Sequence, residues 1–286
     1  MAAIQDTASI STRSHTPVSI NDFPYEIIEQ ICSWIHPRHA NRLQRLSRTL
    51  KNLLSSKHFA QLNLSRFVCP SKQKQAQKTT LAWPDEFESL LFTASSNFAH
   101  VVATQLLTRV ESISCAHRLM VRSRIPKALG CLRFLKHLDL GSCRLFGEIP
   151  AELGNLHNLE SLVLARNCLS GQLPSEFRNL QKLRILNLMG NKLTGSFPTQ
   201  ICEIKTLEVL DLSGNQMNGP VPYALLELQA TLRELNLAGN QFSGKVPVEI
   251  GQCFKLEYLY LHSNLLDCSE IAFVLAGLTR LIVRSF

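Results

Sequence analysis

Long hydrophobic runs, the sequence pattern of a signal peptide and paired cysteine motifs are not found in these 286 residues. No stretch approaches the ~18 consecutive apolar residues of a membrane-spanning helix. Residues 1–20 contain neither the apolar segment nor the cleavage pattern of a signal peptide. We therefore expect no membrane contact and a location inside the cell, in the cytoplasm, with the nucleus as the alternative.

The nine cysteines are scattered, odd in number and never spaced as CxxC. This usage is typical of small buried apolar side chains in a reducing compartment, and it does not predict zinc or another metal. Motifs for nucleophilic, phosphate-binding and dinucleotide-binding sites are also absent. We therefore expect no catalytic residues, no cofactor and no enzymatic activity.

Positive charge is confined to the first half of the chain. Residues 1–131 contain 16 Lys/Arg and 8 Asp/Glu, a balance of +8, whereas residues 132–286 contain 14 of each. The neutral second half lacks the excess of cations that neutralises phosphates. We therefore expect no nucleic-acid partner for it.

One motif recurs through the second half, as in Leu159-x-x-Leu162-x-Leu164-x-x-Asn167-x-Leu169, with an earlier copy at Leu135 to Leu145. The position of its asparagine repeats at steps of 24 or 25 residues. It is occupied by Cys143, Asn167, Asn191, Asn215, Asn240 and Asn264. Alternation in the L-x-L piece predicts a short strand with inward leucines, and stacked copies predict a parallel sheet. A buried asparagine can bond to the turns of its own and the adjacent repeats.

Five of the six motifs continue with x-Leu-x-Gly, in which Met217 and Phe242 replace leucine, and with an apolar–proline pair, as in Gly171 followed by Leu173-Pro174. Glycine permits a positive φ, and proline favours a segment outside a central ladder. The whole pattern resembles the plant class of leucine-rich repeats found in receptor ectodomains and polygalacturonase-inhibitor-like proteins. The resemblance implies an α/β solenoid with a parallel sheet on its concave face.

A different period appears nearer the start of the chain. Apolar residues at helical spacing run through Phe23-Pro24-x-Glu26-Ile27-Ile28-x-x-Ile31, and Leu43-x-x-Leu46 begins a second helix. The order of these pieces resembles an F-box. That resemblance implies a small helical domain which docks on the Skp adaptor of a cullin ubiquitin ligase. The implied docking surface consists of Phe23, Pro24, Ile27, Ile28, Ile31 and Leu46. The alternative is a helical cap that only shields the first repeat.

These patterns divide the chain into six parts. We expect a disordered tail (1–18), an F-box-like helical domain (19–68), a linker (69–80), a helical segment with an N-terminal repeat cap (81–131), leucine-rich repeats (132–267) and a C-terminal cap (268–286). The C-terminal cap is predicted to contain a helix and a last apolar strand at 281–283.

The outward positions of the predicted strands form columns on the concave face, where a rigid surface can bind a protein. Exposed aromatic side chains at the C-terminal end are the expected anchors. The residues predicted to contact a partner are His137, Asp139, Asn187, Met189, Asp211, Asn236, Tyr258, Tyr260 and His262. Simple solvation of these positions is the alternative.

Three functions fit these patterns. The first is a substrate-receptor subunit of a ubiquitin ligase that binds its target on the concave face. The second is a non-enzymatic intracellular scaffold in signalling, and the third is a receptor-like protein that recognises a ligand. The apolar residues at 23–50 are exposed in the first and buried against the 81–131 segment in the second, whereas the third requires a secretory signal.

Overall fold

A computed structural model describes Ser56, His58, Phe59 and residues 96–107, 109–115 and 123–286. The predicted tail, the linker and all but three residues of the F-box-like domain lie outside these residues. The same holds for all six residues of the expected docking surface. In the described part of the chain, no helix is long and apolar enough to cross a membrane.

Eight short parallel strands form the first sheet, in the order β1-β2-β4-β6-β8-β10-β12-β14. They are β1 (Ser112–Ser114), β2 (His137–Asp139), β4 (Ser161–Val163), β6 (Ile185–Asn187), β8 (Val209–Asp211), β10 (Glu234–Asn236), β12 (Tyr258–Tyr260) and β14 (Val283–Ser285). Each strand pairs in register with the copy before it, as Leu162 does with Leu138. The predicted parallel sheet is therefore confirmed.

The inward leucines of this sheet are fully buried. Leu162, Leu186, Leu210 and Leu235 each expose 0% of their surface, and they belong to one continuous hydrophobic cluster. A single repeat contributes too few of these side chains to enclose them, so the burial depends on the neighbouring copies. Stacking thus explains why so short a strand, three residues long, is stable here.

A second parallel sheet, which the sequence did not lead us to expect, lies after the asparagine turn. Its six strands run in the order β13-β11-β9-β7-β5-β3. They are β3 (Phe146–Glu148), β5 (Cys168–Gly171), β7 (Lys192–Gly195), β9 (Gln216–Gly219), β11 (Gln241–Lys245) and β13 (Leu265–Asp267). The glycine of x-Leu-x-Gly lies within or at the end of these strands, with φ of +83° at Gly171. The predicted positive φ of this glycine is correct, and the glycine is part of a strand.

The prolines precede short 3-10 helices that line the opposite side of the solenoid. These helices are Lys127–Cys131, Ala151–Asn155, Ser175–Asn179, Thr199–Glu203, Tyr223–Leu228 and Val248–Gln252. Adjacent copies approach very closely, because a Cβ added to Gly154 would lie 2.6 Å from the carbonyl oxygen of Glu176. Because Gly154 has no side chain, the 3-10 helices of these two repeats can approach each other this closely.

The buried asparagines form a hydrogen-bonded ladder between the two sheets. Asn191 Nδ2 donates to the carbonyl oxygens of Leu164 and Leu188, both at 3.0 Å, and its Oδ1 accepts from Leu169 N–H at 3.0 Å. The Leu188 carbonyl also accepts from Asn215 Nδ2 at 3.1 Å. Each asparagine thus joins its own turn to the previous repeat, as the residue type and spacing predicted.

The solenoid begins one strand earlier than the first repeat that the motif reveals. β1 pairs with β2, and Val110, Ile113 and Cys115 are buried where later copies have leucines. A short α-helix, α1 (Ser96–Val101), leads into a π-helical turn at Val102–Leu106 and supplies Val101 to the same core. The buried ring of Phe59 belongs to that core as well.

The C-terminal end contains α2 (Ile271–Gly277) and β14. The last strand lies at Val283–Ser285 and not at the predicted 281–283. Leu281 is partly buried against the core, whereas Ile282 is 67% exposed. The apolar run 281–283 suggested a strand, but its first residue, Leu281, packs against the core before the strand begins at Val283.

Candidate protein-binding surface

The strand register places the outward side chains of the first sheet in straight columns. The first column contains His137, Ser161, Ile185, Val209, Glu234 and Tyr258, and the second contains Asp139, Val163, Asn187, Asp211, Asn236 and Tyr260. Adjacent members of a column lie about 4.8 Å apart, the separation of neighbouring strands. Met189 and His262 follow two residues after the second column, just beyond the end of their strands.

Four members of the second column have a local structural role that sequence reasoning missed. Asp139, Asn187, Asp211 and Asn236 each accept a hydrogen bond through Oδ1 from the backbone N–H two residues later, at 2.9 to 3.2 Å. This is the Asx turn, in which a short polar side chain satisfies the backbone as the strand ends. The available signal in the sequence was the recurrence of Asp or Asn at the last position of the predicted strands.

Asp211 is the most enclosed member of this predicted contact set, since it is only 7% exposed. Its Oδ1 also accepts from the Ser213 hydroxyl at 2.6 Å. The remaining predicted residues are more accessible: His137 and His262 are exposed, while Asp139, Asn187, Met189, Asn236, Tyr258 and Tyr260 are half-buried. These side chains share one surface, but several of them also shape the turns beneath it.

An ion-pair ladder borders the first column and was also missed. Residues just before the strands alternate in charge, at Glu111, Lys136, Glu160, Arg184, Glu208, Arg233 and Glu257. Lys136 Nζ lies 2.8 Å from Glu111 Oε2, and Arg233 lies 2.7 Å from Glu257 Oε1 and 3.8 Å from Glu208 Oε2. In the sequence, the alternation of acidic and basic residues at the repeat spacing could have predicted this ladder. These cations are therefore matched by neighbouring carboxylates along this edge.

The two columns themselves contain no lysine or arginine. Their acids are Asp139, Asp211 and Glu234, and the last two lie on adjacent strands, β8 and β10. Partial burial raises the pKa of Glu234, and the charge of Asp211 adds to that effect. The centre of the concave face is thus acidic, although the repeat region as a whole is neutral.

Aliphatic and aromatic side chains flank this acidic pair on opposite sides. Ile185 on β6 is 39% exposed and lies beside Val209 on β8. On the other side, Tyr258 pairs with Glu234 and Tyr260 pairs with Asn236. The surface therefore offers an apolar contact, an anionic contact and two rings between β6 and β12.

The described residues offer little support for a metal site or for a reactive thiol. No group of three or more His, Cys, Asp or Glu side chains there is arranged to hold a metal ion. Burial raises the pKa of the Cys202 thiol to about 12 and that of Cys253 to about 11, so neither is a ready nucleophile.

Family models match both parts of the chain. A leucine-rich-repeat model matches residues 133–193 and 157–217, and a second one matches residues 231–253. An F-box domain model matches residues 20–62. A comparison with curated proteins finds no significant match.

Solved structures of receptor proteins resemble the repeat region. The Arabidopsis receptor kinase HAESA, in complex with the peptide hormone IDA and the co-receptor SERK1, is 31% identical over 60% of this chain and 28% of its own, with a TM-score of 0.55. PEPR1, in complex with AtPEP1, is 28% identical over 81% of this chain and 31% of its own, with a TM-score of 0.58. The chain thus spans about a third of the length of these receptors.

The family models and the structure agree on the architecture. The repeats form the solenoid, and the F-box match coincides with the segment whose helical period differs from theirs. Both kinds of domain are typically non-enzymatic interaction modules. The chain therefore contains a leucine-rich-repeat solenoid and, ahead of it, a segment that matches an F-box domain.

Proposed function

We propose that this protein is an intracellular substrate receptor of a cullin-type ubiquitin ligase. Its F-box segment binds a Skp-type adaptor, and the concave face of its repeats binds a target protein. The observation that carries the proposal is the combination, in one chain, of an F-box match at residues 20–62 and a solenoid with an open concave sheet.

A rigid surface suits the target-binding half of this function. The asparagine ladder and the buried leucines fix the relative positions of the outward side chains. A preorganised surface loses little conformational entropy when a partner binds. Ubiquitin transfer in such a complex is performed by other subunits, so the chain itself needs no catalytic group.

Adaptor binding is tested with the full chain and a purified Skp adaptor by isothermal titration calorimetry. The docking surface proposed for the adaptor is Phe23, Pro24, Ile27, Ile28, Ile31 and Leu46. We expect wild type to bind and Ile28→Glu to lose binding, because a carboxylate placed in an apolar contact is desolvated without a partner. Gln30→Glu introduces the same charge into the same segment outside the proposed surface, and it should bind like wild type.

Absence of binding by wild type would contradict the ligase proposal and favour a helical cap at residues 20–67. Equal loss in Ile28→Glu and Gln30→Glu would show that charge, and not the docking surface, governs the contact. Circular dichroism and a thermal melt of each variant separate a lost contact from a lost fold.

A receptor-like function is the second candidate, favoured by the likeness of the repeats to HAESA and PEPR1. Those proteins are described in complexes with a peptide hormone and with AtPEP1, respectively. The present chain covers about a third of each, and its F-box match is the feature that favours the ligase proposal. Secretion of the expressed full-length protein by plant cells would support the receptor alternative.

A further inference from the structure

The concave face has an uneven distribution of charge and apolar surface that restricts what it can bind. Crossing the sheet from β6 to β12, a partner meets Ile185 and Val209, then the Asp211–Glu234 pair, then Tyr258 and Tyr260. No lysine or arginine occupies either outward column, and the cations beside them are matched by the ion-pair ladder. A cationic group on the partner is therefore the complement that this surface lacks.

Glu234 is the more available of the two acids. It is half-buried, whereas Asp211 directs one oxygen toward Ser213. A positive charge placed between them would relieve the mutual repulsion of two carboxylates on adjacent strands. Tyr258 and Tyr260 lie on the next strand, β12, and an arginine or lysine side chain gains when it comes within ~6 Å of a π face.

The spacing of these contacts also defines a spacing in the partner. The midpoint between Ile185 and Val209 lies about 1.5 strands from Glu234, which corresponds to ~7 Å. An extended chain advances ~3.3 Å per residue, and residues two apart point to the same side. An apolar side chain and a basic side chain separated by one residue would therefore reach the two contacts together.

We propose that the concave face binds an extended segment of its protein partner that carries an apolar residue and, two positions away, an arginine or lysine. The apolar side chain packs on Ile185 and Val209, and the cation lies between Glu234 and Asp211, beside the tyrosines. The inference deepens the proposed function and rests on its assignment of the target to the concave face.

The test uses the full chain and a phage-displayed library of random dodecapeptides as the probe. We expect wild type to enrich peptides that share the apolar-x-basic spacing. In the best of them, replacement of arginine by the neutral isostere citrulline should weaken binding at least about tenfold, because the hydrogen bonds that a charged group makes are stronger than those of a neutral one.

Two variants locate the contact on the protein. Glu234→Gln and Asp211→Asn remove the charges, and the second preserves the Asx turn because Asn187 and Asn236 make the same bond in neighbouring repeats. Each should lose most of the preference for arginine over citrulline. The control Glu176→Gln/Glu203→Gln removes two charges from exposed positions on the 3-10 helices and should leave that preference intact.

Enrichment of peptides without a basic residue would overturn the inference, as would no enrichment at all. An arginine preference that survives in both acidic variants would overturn it as well. Adaptor binding plays no part in this assay, so failure here leaves the calorimetric test of the F-box unaffected. Conversely, a positive library result with no adaptor binding would reject the ligase proposal alone.

Discussion

Replacement of Asn191 by alanine tests the physical basis of the solenoid. The side chain is buried, being only 7% exposed, and its three shortest hydrogen bonds join backbone groups of two repeats. After truncation the Leu164 and Leu188 carbonyl oxygens retain a bond from Asn167 and Asn215, respectively. The Leu169 N–H has no such second partner among the hydrogen bonds of the described residues.

The expected loss follows from this difference. A buried donor without a partner costs ~1–3 kcal/mol, and the weakened carbonyl contacts add to that cost. We expect Asn191→Ala to lower the free energy of unfolding by about 2–4 kcal/mol. In a thermal melt this corresponds to a drop in Tm of ~4–16 °C for a domain of this size.

Asn264→Ala is the matched control. Asn264 makes the same contacts in the last motif, but it is only half-buried, so water can replace its side chain. Urea denaturation of both variants should give a clearly smaller loss for Asn264→Ala. Equal losses at the two positions, or a loss below ~0.5 kcal/mol at Asn191, would refute the ladder as the source of stability.

Three further perturbations probe spacing, charge and thiol burial. Gly154→Ala should cost about 1–3 kcal/mol in denaturant unfolding because its Cβ would meet the Glu176 backbone at 2.6 Å; an unchanged midpoint would show that these helices can separate freely. Because the folded pKa of Glu234 lies above the ordinary 4.5, its ionisation destabilises the protein as pH rises through that range. The Tm of Glu234→Gln minus that of wild type should thus be higher at pH 7 than at pH 3, and a difference independent of pH would contradict this. Iodoacetamide at pH 7 should label exposed Cys168 in the native protein and spare Cys202 and Cys253 until unfolding, as measured by peptide mass mapping; early labelling of Cys202 would contradict its burial.

The part of the fold that sequence predicted best is the part governed by a short strict period. Leu162, Leu186 and Asn191 are predictable because each repeat places the same residue type at the same inward position. The second sheet was not predicted because a segment such as Cys168–Gly171 has little alternation and ends in glycine. Glycine in a strand usually weakens it, and only pairing with the adjacent repeats supports it here.

The candidate surface was predicted in outline but not in detail. Register alone places Tyr258 beside Glu234, as expected from the columns. Asp211 is enclosed and accepts a hydrogen bond from a hydroxyl two residues away, a contact that periodicity does not specify. The charge ladder involving Glu208 was missed because it occupies a variable x position of the leucine motif, where the residue type differs between copies.

We propose that two separate surfaces of one chain bind an adaptor and a target. Affinity purification from cells, with quantitative mass spectrometry, tests it directly on full-length wild type, Ile28→Glu and Asp211→Asn/Glu234→Gln. We expect Ile28→Glu to lose the Skp adaptor and cullin but to retain the other wild-type partners. We expect the double variant to lose at least one of those partners and to retain the ligase subunits. Loss of both sets in either folded variant, or no ligase subunit bound to wild type, would contradict it.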